Sequence, residues 1–74
     1  MHIYIHQNGQ QIAEVFNLAH HNNRRWSFNC APPVLVADED YEIHPIDGKP
    51  MRILIAGIDF RNGVCFVEAI EMAC

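Results

Sequence analysis

Two Asn-Gly dipeptides, Asn8-Gly9 and Asn62-Gly63, each lie between two segments rich in apolar residues. Both residue types tolerate positive φ, which the tight turn between antiparallel strands demands, so this dipeptide is a strong short-range sign of a β-hairpin. A chain with one such turn near each end is steered towards antiparallel sheet. The flanking segments agree. In His2-Ile3-Tyr4-Ile5-His6 the two isoleucines point one way and His2, Tyr4 and His6 the other, the period of a strand. Around the second turn, residues 51–60 and 64–72 read as two longer strands. Arg52, Leu54 and Ala56 alternate with Ile53 and Ile55, and Gly57 breaks the phase as a bulge would. Cys65, Val67, Ala69 and Glu71 then share one face, and Phe66, Glu68, Ile70 and Met72 the other. Both long strands are apolar on both faces, which requires a two-sided core, as in a rolled sheet, or a covering partner.

Residues 10–19 support two readings. Ile12, Val15, Phe16 and Ala19 fall on one face of a helix. As a strand after a short loop at 8–10, the same segment sets Val15 opposite Ile3 and Ala13 opposite Ile5, with Ile12 and Phe16 beside Tyr4. The turn chemistry of Asn8-Gly9 favours the strand. Further on, Trp26, Phe28 and Cys30 alternate with Arg25, Ser27 and Asn29, and Pro32-Pro33 stops that strand because proline has no N–H for the ladder. Asp38-Glu39-Asp40-Tyr41-Glu42 packs four acids into five residues and reads as an exposed loop or turn. His44 to Pro50 reads as a connection built on Asp47-Gly48.

The expected fold is therefore mainly β: a small antiparallel sheet or rolled barrel of about five or six strands, in one domain over residues 1–74. The alternative is α+β, with a helix at about 10–21 packed on a four-stranded antiparallel sheet.

With 74 residues the core is too small to wall off a deep cleft, which argues against an enzyme. Half the residues are hydrophobic, which argues against disorder. Met1 to Gln7 has neither a basic start nor a long apolar run, and no stretch nears the ~20 residues of a membrane span, so a cytoplasmic location is expected. Cys30, Cys65 and Cys74 are odd in number and widely spaced, unlike a disulfide framework. Cys30 and Cys65 fit as small core residues. The net charge of −4 is unevenly shared. Residues 1–37 carry Arg24 and Arg25 against Glu14, a balance of +1, and residues 38–74 carry eight acids against Lys49, Arg52 and Arg61, a balance of −5.

No residue set reaches catalytic or metal-site specificity. His2 and His6 lie about 13 Å apart along a strand, too far to share a metal. Nothing in sequence activates Cys65, and Ser27 lacks a glycine elbow. No catalytic residue, metal or cofactor is expected. Two surface segments stand out. Asp38, Glu39, Asp40, Tyr41 and Glu42 suit docking on a basic protein surface, with Tyr41 as an aromatic anchor. Arg24, Arg25, Trp26 and Phe28 mix basic and aromatic side chains, as a single-stranded nucleic-acid platform does, although five basic residues in an acidic chain give phosphate little to bind. The leading expectation is a small non-catalytic binding protein acting by protein–protein contact. Its class would be a stoichiometric inhibitor or adaptor of a nucleic-acid-binding protein, or one of phage or mobile-element type. Nucleic-acid binding is the second reading. Self-association is a further expectation, because exposed strand edges pair readily.

Overall fold

The computed structural model describes residues 2–31, 34–46 and 49–72, with Pro45 and Ile46 described by their backbone alone. Six strands fill it: β1 (Ile3–Gln7), β2 (Gln10–His20), β3 (Arg25–Ala31), β4 (Asp40–Ile46), β5 (Lys49–Arg61) and β6 (Val64–Glu71). They close into an antiparallel barrel in the order β1-β2-β3-β6-β5-β4. No helix among the described residues is long and apolar enough to cross a membrane.

The order divides the barrel into two meanders, β1-β2-β3 and β4-β5-β6. Two antiparallel seams join them, β3 to β6 and β1 to β4. The β3–β6 seam runs over six register pairs, from Arg25↔Ile70 to Cys30↔Cys65. The closing β1–β4 seam has three: Tyr4↔His44, Ile5↔Ile43 and His6↔Glu42. Because side chains alternate along a strand, one set of positions turns inwards. Ile5, Ala13, Val15, Phe28, Cys30, Tyr41, Ile43, Ile53, Ile55, Cys65, Val67 and Ala69 form the core, and Leu35 joins them from the β3–β4 connection. Fully burying an aliphatic side chain of this size contributes ~2 kcal/mol, and Ile5, Ile43, Ile53 and Ile55 are wholly enclosed.

The strand reading of residues 10–19 holds. Ile3 pairs with Val15 and Ile5 with Ala13, the pairs expected of the strand. The turn is shorter than expected, since Gln10 already pairs with Gln7, and a register shift beside Ile5 and His6 absorbs the difference. A second shift lies between Phe16 and Ala19, where Asn17 takes a φ of 55°. In β5 the register shifts between Ile55 and Gly57, as the phase break at Gly57 implies.

Three local expectations are corrected. The acidic segment lies outside a strand only at residues 38–39, and from Asp40 it is strand β4, because Tyr41 and Ile43 have inward places to fill. The connection expected over His44 to Pro50 is narrower: β4 runs to Ile46 and β5 starts at Lys49. Asp47-Gly48 lies outside the described residues, as do Pro32-Pro33 and Cys74. The two-sided apolar character of β5 and β6 does not make a two-sided core. Their inner faces fill the barrel, and Val64, Phe66 and Ile70 lie exposed on the outer face.

Both hairpin glycines sit in the left-handed region, Gly9 at φ 78° and Gly63 at φ 76°. A Cβ added at Gly63 meets nothing within 4 Å, so alanine there costs only backbone strain. Arg24 carries the opposite mismatch, a branched-at-nothing but Cβ-bearing residue at φ 63°. Gly63→Ala is expected to lower stability by about 1 kcal/mol and Arg24→Gly to raise it by a few tenths to about 1 kcal/mol. Each 1 kcal/mol moves the midpoint by roughly 4–8 °C, and thermal melting of the two variants checks both signs.

Candidate functional site: an acidic groove at one end of the barrel

The β3–β4 connection crosses one end of the barrel, and its own residues fix it there. Leu35 plugs the core at 8% exposure. The Val36 N–H donates to the Tyr41 hydroxyl at 3.0 Å. The Asp38 N–H donates to the Ile55 carbonyl at 2.9 Å, and the Ile55 N–H to the Glu39 carbonyl at 3.1 Å. Asp38 adopts a φ of 67°, a conformation Asp tolerates better than most side chains. These bonds extend the β4–β5 ladder into the turn and hold the acids along its rim.

Facing this rim is the β1–β2 hairpin. Between them lies an open groove of about 620 Å³. Asp38, Glu39, Asp40 and Glu42 form one wall, and His6, Gln7, Asn8 and Gly9 the other. The Gln7 side-chain amide donates to the Asp40 carbonyl at 3.3 Å and ties the walls together. On the outer surface of the closing seam, Glu42 meets His44 at 3.0 Å, and the rings of His44 and His6 lie 4.2 Å apart. Arg52 reaches Asp40 at 3.4 Å. The groove thus carries four carboxylates against the single guanidinium of Arg52, four negative charges less one positive, or −3 with histidine neutral. Ion pairs this exposed contribute little to stability, which leaves the carboxylates available to a ligand.

Tyr41 does not share that role. It is 4% exposed, and pairing with Ile53 puts it on the inner face. The expectation of an aromatic anchor in the acidic segment is therefore corrected: the ring packs in the core, and its hydroxyl anchors the turn. Asp38, Glu39, Asp40 and Glu42 remain on the surface. Arg52 and His6, which complete the groove, were not singled out from sequence. Only the register of β1 and β5 on β4 brings them there.

The nucleic-acid set is not brought together. Phe28 is 3% exposed inside the barrel, so it offers no face to a base. Trp26 shares its inward phase at the other barrel end, where it stacks on His20 at 4.4 Å and donates its indole N–H to Glu71 at 3.1 Å. Arg25 projects outwards on the opposite face beside Ile70, and Arg24 lies in the turn before β3. Alternation along β3 separates Arg25 from the rings.

The thiols are core groups. Cys30 and Cys65 sit opposite each other across the β3–β6 seam, free and buried. Burial, then the hydrogen bond and charge interaction with Cys65, push the Cys30 thiol up to about 12 from 9.0, so it is no nucleophile near neutral pH.

Comparison with protein-family models, curated proteins and solved structures finds no match.

Two measurements check this geometry. Tyr41→Phe keeps the packed ring but strips the acceptor from Val36. It should cost about 1 kcal/mol and speed amide exchange at Val36, whereas Tyr41→Ala should cost about 3–5 kcal/mol. Separately, the native state holds the Cys30 proton up to about pH 12 while the unfolded chain releases it near 9. The unfolded state therefore binds fewer protons between those values, and stability falls as pH rises through that window, being intact below it. Urea melts from pH 8 to 11 should show this decline in the wild type and a shallower one in Cys30→Ala.

Proposed function

We propose that this chain is a small non-catalytic binding protein that docks by the acidic groove onto a basic surface of another protein. One observation carries the reading: four acidic residues line one rim, on backbone held by strand β4 and by the bonds of Asp38 and Glu39 to Ile55, with one cation among them. Immobilised charge of one sign speeds encounter with an oppositely charged partner and sets its register. The backbone clamp removes most of the ordering cost that a free acidic loop would incur on binding. The groove is open and polar, a shape that suits protruding lysine or arginine side chains better than a small apolar ligand.

The role is that of a stoichiometric inhibitor or adaptor, and a nucleic-acid-binding protein offers the basic surface that such a groove complements. A carboxylate rim placed on that surface would exclude phosphate from it by occupying the same cations.

Co-purification from the native host should recover a protein partner at fixed stoichiometry. Replacing Asp38, Glu39, Asp40 and Glu42 by Ala should weaken that complex by about tenfold or more at low ionic strength and flatten its salt dependence. A complex equally tight in the variant at low salt would remove the groove from the interface. Tyr41 variants are unsuitable for this test because the ring belongs to the core.

A further inference from the structure

We infer that a second copy of this chain pairs with the exposed edge of β5, in a two-fold dimer centred on Phe60. The inference is independent of the acidic groove. It starts from an imbalance of strand lengths. β5 runs to Arg61, but β4 pairs with it only as far as Leu54, and the turn at Asp38 and Glu39 covers Ile55. From Gly57 to Arg61, β5 is bonded to β6 on one side. Among the described residues nothing pairs with its other side.

The hairpin turn fixes which groups face that open side. Arg61 and Val64 flank the two-residue turn Asn62-Gly63, so they exchange hydrogen bonds with each other. Along a strand the N–H and C=O groups of successive residues point to alternate sides. Asp59 and Arg61 therefore face β6, while Ile58 and Phe60 direct their backbone groups to the open edge. An unpaired edge of this kind is a template for another strand.

The sequence at that edge is complementary to itself. In an antiparallel pair about a two-fold axis at Phe60, the two Phe60 residues exchange both backbone hydrogen bonds. Asp59 of each copy then stands opposite Arg61 of the other. In one chain these two side chains already share the outer face, 2.8 Å apart and both mostly exposed. Among the described residues Phe60 is the most exposed large hydrophobic one, at 58%. A copy shifted by one residue per strand, centred on Asp59, would instead set the two carboxylates face to face, which is destabilising. The charges thus select the register, and the pairing covers the apolar ring left most exposed.

The pairing is short, so association in roughly the 10 µM to 1 mM range is expected. Sedimentation equilibrium across that range should show a monomer–dimer system that stops at two. D59R and R61D should each weaken the dimer by about tenfold, because each reversal acts twice across the axis. Mixing the two variants should restore association, since one chain then carries two cations and the other two anions at the seam. The double variant D59R/R61D should dimerise on its own, which it would do only if residue 59 meets residue 61. Circular dichroism melts confirm that each variant is folded. A wild type still monomeric at about 1 mM, a dimer indifferent to both single reversals, or assemblies that keep growing with concentration would each overturn the inference. The last outcome would signal head-to-tail pairing through two different edges rather than one edge meeting itself.

Discussion

The closing contact between β1 and β4 is the interaction on which the rest of the structure depends. It spans three register pairs, with Ile5 and Ile43 at its centre on the inner face and both wholly enclosed. Without it the strands form an open sheet with one wet side, too small to bury a core. With it the inner positions of six strands converge and the core needs no second layer. The same seam reaches the groove, because its outward pair His6↔Glu42 lines it. Core and candidate site are thus two faces of one contact.

Strand order gives the charge distribution its spatial meaning. Each half of the chain stays contiguous around the wall, β1-β2-β3 on one side and β6-β5-β4 on the other. The balance of +1 over residues 1–37 and −5 over 38–74 is therefore a difference between two sides of the barrel. A barrel with interleaved halves would have averaged it away. The outer surface is also divided in apolarity. Over β1 and β4 it carries His6, Glu42 and His44, and over β3 and β6 it carries Phe66 and Ile70.

Much of the fold was legible in sequence because two Asn-Gly turns fix the register of what flanks them. The hairpin at Asn8-Gly9 was legible in this way, and the pairs Ile3↔Val15 and Ile5↔Ala13 arise from its two-residue turn together with the register shift beside Ile5 and His6. The helical look of residues 10–19 is not the packing pattern: of Ile12, Val15, Phe16 and Ala19 only Val15 is buried, and Phe16 and Ala19 are exposed. The inward-packed Ala13, Val15 and Leu18 are spaced by two and then three, because the register shift between Phe16 and Ala19 slips the period of two. Tyr41 was misplaced for a different reason. Its neighbours Asp40 and Glu42 are charged, and local composition hides an alternation that a single inward residue can obey. Arg52 and His6 could not be assigned to the groove at all, since strand neighbours distant in sequence decide that. The free edge of β5 was equally hidden, because it arises from β4 stopping short.

The two-meander arrangement also bears on how the barrel assembles. Within each meander, adjacent strands meet across short turns, so their pairing requires little loop closure. The two seams are different. Cys30 meets Cys65 and Ile5 meets Ile43 across more than thirty intervening residues, and contacts at that separation form late and slowly. The chain is thus organised as two local three-stranded units, and their docking carries the larger loop-closure cost. Until it occurs, Ile43 and Ile53 remain in contact with water, and the period of greatest exposure to aggregation is the interval before the seams form.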